Sequence, residues 1–204
     1  GKLNMAFMLV GGENMPFVIN AQGDQLNRFV AESLDYFSKE TEADDYSLLV
    51  RQPTEKHLNW TDEAMGELFY LTNGHPFYTK LICAEVLDSA VKYRDSEIGV
   101  REIKLSVKKL VGTLGSNTFA HHWMDGIQLN DNETESIMLN RCRCLVAMGR
   151  CAREKTELNS ENIIKENKFS RLPSSAINAL MADFVRRNII KEDTFRRRYI
   201  SKIN

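Results

Sequence analysis

The spacing of apolar positions changes along the chain. Residues 5–10, Met5-Ala6-Phe7-Met8-Leu9-Val10, form an unbroken apolar run closed by Gly11-Gly12, which predicts a strand buried on both faces of a sheet. Residues 11–26 are rich in Gly, Asn, Gln and Asp and read as loop. The stretch 29–37 is ambiguous, because Val30, Ser33 and Leu34 break the alternation of a second short strand. A buried strand needs neighbours, and few follow, so the remainder of its sheet is expected in sequence upstream of this chain.

From Glu42 the period becomes helical. Asp44 and Asp45 open a short helix carrying Tyr46, Leu49 and Val50, which must stop before Pro53 because a proline ring disfavours the helical conformation at its predecessor. Thr61 is an N-cap with Asp62 and Glu63 in the first turn, and Ala64, Leu68 and Leu71 form a stripe that ends at Asn73-Gly74, a left-handed C-cap. A longer helix is predicted over 76–93 with Phe77, Leu81, Val86, Leu87 and Ala90 inward, and another over 100–114. These segments make a helical bundle over residues 41–116.

Phe119, Trp123 and Ile127 recur every four residues, which marks a short amphipathic helix and the start of a second unit. A helix over 135–154 follows, Ser160 caps another, and Pro173 opens a third at its favoured first position. Ile189-Ile190 and Arg198-Tyr199-Ile200 flank a turn at Glu192 to Phe195. Three helices and a terminal hairpin predict a winged helix over 117–204. The predicted fold class is therefore mainly α, a helical bundle and then a winged helix, with residues 1–40 as the remnant strand and loop of another domain.

Composition narrows the function. With 27 basic against 28 acidic residues, no global field draws the molecule to polyanions, so nucleic-acid binding has to be local. The six-residue apolar run falls far short of the roughly twenty that span a bilayer, and no secretory signal is visible. Four cysteines, Cys83, Cys142, Cys144 and Cys151, are badly placed for a disulfide framework, so a reducing cytosol is expected. A metal set combining the last three with His121-His122 matches no common zinc spacing; Cys144 and Cys151, seven apart on one helical face, read as core. His121 and His122 read as surface histidines on a helix whose other face packs aromatics.

The most informative segment is Leu71-Thr72-Asn73-Gly74-His75-Pro76-Phe77-Tyr78. Gly74 ends one helix in a left-handed conformation, and Pro76, having no N–H, starts the next without losing a bond. The result is a rigid corner. It is either a plain helix–helix turn, or one that offers the N–H groups of Phe77, Tyr78 and Thr79 to a polar or anionic ligand. His75 reads as a hydrogen-bonding group of the corner and not as an acid or base.

A helix ending in Leu-Thr-x-Gly-x-Pro-aromatic and followed by an apolar helix resembles the lid of the STAND ATPases, signal-transduction relatives of AAA+ proteins. The resemblance covers most of the chain in order and is most specific at Gly74-His75-Pro76. It implies that residues 1–40 are the remnant of an ATPase core, that Gly74 and Pro76, with His75 between them, lie at the nucleotide, and that Pro76 contacts its base. Asn14, in Gly11-Gly12-Glu13-Asn14, then stands where these ATPases sense the terminal phosphate, although an asparagine in a Gly-rich turn has an ordinary backbone explanation. ATP or ADP with Mg²⁺ would be bound by the whole protein and not held tightly by this part. The implied partners are an upstream P-loop ATPase domain of the same protein and further copies of that protein, and the implied role is signalling or, in bacteria, antiphage defence.

No G-x-x-x-x-G-K-[ST] occurs in the sequence, nor an apolar strand ending in acidic residues to hold magnesium. Phosphoryl transfer cannot be assembled from these residues, so the chain is not an enzyme by itself. The winged helix leaves two readings open. Ser174, Ser175, Asn178 and Arg186 with Arg196, Arg197 and Arg198 in the wing form a weak DNA reader. Alternatively the unit packs on protein, as the resemblance implies and as Asp183 and Glu192-Asp193 among those positions favour.

Overall fold

The computed structural model describes residues 8–12, 15, 34–127, 133–166, 172–193 and 198–201. It is mainly helical. Helix α1 (Ala43–Arg51) has Asp44 and Asp45 in its first turn and Arg51 in its last, each at the helix end its charge favours, and buries Tyr46 and Val50. A single 3₁₀ turn, Gln52–Thr54, takes the chain past Pro53. Strand β1 (Asn59–Trp60) follows, and then α2 (Asp62–Thr72), α3 (Pro76–Tyr93), β2 (Glu97–Ile98) and α4 (Val100–Thr113).

The Thr61 hydroxyl accepts from the Ala64 N–H at 3.2 Å, the expected N-cap of α2. At the start of α4, Glu102 reaches back to accept from the Gly99 N–H at 3.0 Å. β1 and β2 pair in parallel, Asn59 with Glu97 and Trp60 with Ile98. Two-residue strands carry no period, so sequence reading missed them. Helices α1 to α4 close on a core that includes Tyr46, Val50, Leu68, Val86, Ile98 and Ile103. One inward assignment needs correction: Phe77 is 51% exposed. Leu71 is partly buried against the core, and Thr72 joins Ala64 and Leu68 on the buried face of α2.

A 3₁₀ turn at Ser116–Phe119 and the one-turn helix α5 (His121–Met124) lead to a second group, α6 (Thr134–Arg153), α7 (Ser160–Glu166) and α8 (Ser174–Arg186). After α8 comes an antiparallel pair, β3 (Ile190–Asp193) with β4 (Arg198–Ser201), in register from Ile190 opposite Ser201 to Asp193 opposite Arg198. This group has its own core, including Cys144, Cys151, Ile163, Ile177, Met181 and Phe184. The caps sit one residue before their expected places. Asn159 Oδ1 accepts from the Asn162 N–H at 2.8 Å where Ser160 was expected to cap, and Pro173 precedes the first residue of α8 instead of being it.

The N-terminal strand is the larger correction. Met8, Leu9 and Val10 are exposed, Met8 at 86% and Val10 at 81%, and lie in no strand. An apolar run becomes a buried strand only where other strands offer its backbone hydrogen bonds. Residues 5–7 lie outside the described residues, as do residues 29–33 of the ambiguous second strand; residues 34–37 form none.

Candidate functional site at a helix corner and its junction

The corner between α2 and α3 has the backbone that the sequence requires. Asn73 at φ 46° and Gly74 at φ 75° are both left-handed, and the Asn73 N–H donates to the Phe69 carbonyl at 2.6 Å. A Cβ on Gly74 would stand 2.3 Å from the Phe37 carbonyl oxygen. Glycine is therefore required twice, by conformation and by space. The Phe37 N–H donates to the Gly74 carbonyl at 3.1 Å, so the segment before α1 is stitched to the corner.

Beneath the corner lies a buried polar triad. Thr72 Oγ1 donates to the Leu68 carbonyl at 2.9 Å, Thr79 Oγ1 donates to Thr72 Oγ1 at 3.1 Å, and the Tyr46 hydroxyl lies 3.4 Å from Thr79 Oγ1. One residue from each of α1, α2 and α3 is thereby joined, and a satisfied network of this kind fixes how the helices meet. The threonine of the motif is thus a packing residue.

His75 caps α3. Its Nδ1 accepts from the Phe77 N–H at 3.2 Å and its carbonyl accepts from the Thr79 N–H at 3.0 Å. Two of the N–H groups expected to face a ligand are thus already used. The His75 ring lies between Tyr36 and Tyr78, with centroids 4.4 and 4.6 Å away. Burial, and then the nearby His121, lower its pKa to about 4.

Tyr78 carries the corner into the second group. Its hydroxyl lies 2.6 Å from His122 Nε2 and 3.3 Å from His121 Nε2, and its ring stacks on Phe119 at 5.8 Å. Burial raises the pKa of this phenol above its usual range. The expectation of surface histidines fails here, because His122 is only 9% exposed. His122 is turned inward with Nε2 against the Tyr78 hydroxyl, and it is Met124 of the same turn that faces solvent, 50% exposed. Burial, and then His121, His75 and Arg187, lower the His122 pKa to about 3.

The main-chain carbonyls of α5 are held by two buried arginines. Arg187 donates from Nη2 to the His121 carbonyl at 2.7 Å and from Nη1 to the His122 carbonyl at 2.8 Å. Arg141 donates from Nη1 to the Asp125 carbonyl at 2.7 Å and the Trp123 carbonyl at 3.3 Å. The C-terminal carbonyls of a helix lack intrahelical partners and form the negative end of its dipole, so guanidinium groups suit them. Asp183 of α8 stands between the arginines. Its Oδ2 is 2.7 Å from Arg141 Nη2 without a directed hydrogen bond, and 4.0 Å from Arg187 Nη1. Its Oδ1 accepts from Arg186 at 2.7 Å.

Of the positions singled out in the sequence, Gly74, His75 and Pro76 form the corner. Asn14, Arg196 and Arg197 lie outside the described residues, and Arg198 is described only by its backbone in β4. Arg186 is exposed but engaged by Asp183. Ser174, Ser175 and Asn178 are exposed on α8. Cys144 and Cys151 are buried core thiols, and burial pushes Cys144 up to about 12. Among the described residues no group of three or more His, Cys, Asp or Glu is arranged for a metal, and no helix is long and apolar enough to cross a membrane.

Sequence reading missed Arg141 and Arg187. A signal existed, since Arg141 stands three before Cys144 on the buried stripe that continues to Met148 and Cys151, and Arg187 stands three after Phe184. A charged residue in register with a core stripe is a buried charge with a task. No family model, curated protein or solved structure matches the chain.

Proposed function

We propose that this chain is the nucleotide-sensing lid and adjoining winged helix of a larger P-loop ATPase of the STAND type, and that it passes the nucleotide state of the Gly74-His75-Pro76 corner to the C-terminal unit. The observation that carries this reading is Tyr78. It stands two residues after Pro76, and its hydroxyl meets His121 and His122 at 3.3 and 2.6 Å. The carbonyls of that pair are held by Arg187 at the end of α8. A base resting on Pro76 would move the first turn of α3, and that turn has a short bonded path to α8.

ATP or ADP with Mg²⁺ would be held by an upstream domain that supplies the phosphate cradle, and this chain would add the contact to the base. The helical lid and the winged helix follow one another in the order that architecture requires. Signalling, with defence against phage as one form of it, is the role this class of switch serves.

Substitution of Pro76 by alanine in the complete protein tests the reading. Nucleotide affinity, measured by titration with fluorescent ADP, is expected to fall about tenfold, the equivalent of about 1.4 kcal/mol. An unchanged affinity in a folded variant would remove the lid assignment. The alternative, a winged-helix DNA-binding regulator, draws on the exposed Ser174, Ser175 and Asn178. The engagement of Arg186 by Asp183 weakens it, and contact with protein fits this face better.

A further inference from the structure

The junction around Tyr78 brings together three imidazoles, the phenols of Tyr36 and Tyr78, and two buried guanidinium groups. We infer that it is a proton-sensitive latch, closed while His122 is neutral and opened when it takes up a proton, so that the helical bundle and the C-terminal group part while each keeps its own core. The latch is a property of this chain whether or not a nucleotide binds at the corner.

The geometry leaves no place for added charge. The His121 and His122 ring centroids are 4.0 Å apart, and the guanidinium of Arg187 sits on both of their carbonyls. His122 Nε2 meets the Tyr78 hydroxyl, whereas its buried Nδ1 has no hydrogen-bond partner among the described residues. Protonation makes both ring nitrogens donors, so Nδ1–H would be a buried donor of a charged group with no acceptor. The Tyr78 hydroxyl, 2.6 Å from Nε2, would also face a cationic ring.

The charged and titratable groups around the latch do not relieve this. The leading segment contributes Tyr36 at the His75 ring, and Asp35, whose Oδ1 accepts from Asn188 Nδ2 at 2.7 Å. The corner contributes His75 and Tyr78, and α6 contributes Arg141. From α8 come Asp183, Arg186 and Arg187, and this one carboxylate stands against three guanidinium groups. Among the described residues no carboxylate pairs with any of the three imidazoles. Burial and positive neighbours accordingly hold His75 and His122 in their neutral forms.

Opening lets the His122 ring hydrate. Each imidazole that is neutral in the closed form and free to titrate near its ordinary 6.5 in the open form raises the open-to-closed ratio about tenfold per pH unit below that value. Small-angle scattering of the full 204-residue chain between pH 7.5 and 4.5, with far-ultraviolet circular dichroism alongside, reads the opening. The radius of gyration is expected to grow while helix content holds. Hydrogen exchange at residues 119–125 is expected to accelerate about 100-fold for one proton between pH 6.5 and 4.5, after correction for the intrinsic pH dependence.

His122→Gln keeps a polar side chain but cannot titrate, and should remove one proton from that slope. Tyr78→Phe keeps the imidazoles and should shift the whole curve toward neutral pH with its slope intact. Wild-type dimensions and exchange that stay constant from pH 7.5 to 4.5, or a wild-type slope in His122→Gln, would overturn the latch. So would a Tyr78→Phe curve that coincides with that of the wild type.

Discussion

Arg187 donates to the main-chain carbonyl of His122 at 2.8 Å across 65 positions of sequence. Its other terminal nitrogen takes the carbonyl of His121, and Arg141 takes those of Trp123 and Asp125. One turn of helix, too short to be stable alone, is thus held by a pair of guanidinium groups from α6 and the end of α8. The two cores meet through this turn on one side and through Tyr78 on the other.

Arg187→Met should destabilise the fold by about 3 kcal/mol, because two carbonyls lose charge-assisted partners and Asp183 loses a neighbouring positive charge. Arg187→Lys should recover only part of this, since an ammonium group lacks the planar fork that spans adjacent carbonyls. Urea denaturation of the three proteins provides the comparison. Equal midpoints for lysine and arginine would argue against the two-carbonyl grip.

Gly74→Ala should cost at least about 2 kcal/mol, combining the left-handed penalty with overpacking against the Phe37 carbonyl. Asn73→Gly, one residue earlier and also left-handed, should change stability little, because it relieves conformation without adding atoms. A thermal melt in which Gly74→Ala matches the wild type would show that the Phe37 segment moves away freely.

Stability should depend on pH through His75 and His122. Their folded values, about 4 and about 3, lie below the 6.5 of an unperturbed imidazole. Between those limits the unfolded chain binds protons that the folded chain refuses. Stability from this source is therefore complete above pH 6.5 and falls as pH drops toward 3, by up to about 1.4 kcal/mol per unit for a fully buried ring. Urea midpoints at pH 7.5, 6.0 and 5.0 should decline in wild type and decline less steeply in His122→Gln. Parallel declines would assign the acid sensitivity to other groups.

Binding to random duplex DNA at low salt separates the two readings of the C-terminal group. The protein-contact reading expects no binding by fluorescence anisotropy. Salt-dependent binding that disappears when Arg196, Arg197 and Arg198 become alanine would favour the DNA reader.

Local chemistry made much of the fold legible. The Thr61 cap, the Asn73-Gly74 stop and the Pro76 start each depend on the dihedral freedom or hydrogen-bonding capacity of one or two residues, and each was readable in place. The apolar stripes gave the longer helices of both groups to within a residue or two, but not the helix expected to carry Phe119, Trp123 and Ile127, where the chain forms a 3₁₀ turn and then the single turn His121–Met124, with Ile127 beyond it. The corner at Gly74-His75-Pro76 was legible for the same reason, since a left-handed glycine and an N-terminal proline are written into the residue types.

The junction was not legible in that way. Whether His122 is a surface ring or a buried one depends on Tyr78, 44 positions earlier, and on Arg187, 65 positions later, and no local period records either. The apolar run ending at Val10 is strand-like by composition, yet Met8 to Val10 are exposed because a strand also needs partners for its backbone. Sequence by itself determined the elements whose energetics are local: caps, turns and stripes. Tertiary structure alone decided which charges are buried and what they hold, because desolvation and hydrogen bonding depend on every group brought near in space, from whatever part of the chain it comes.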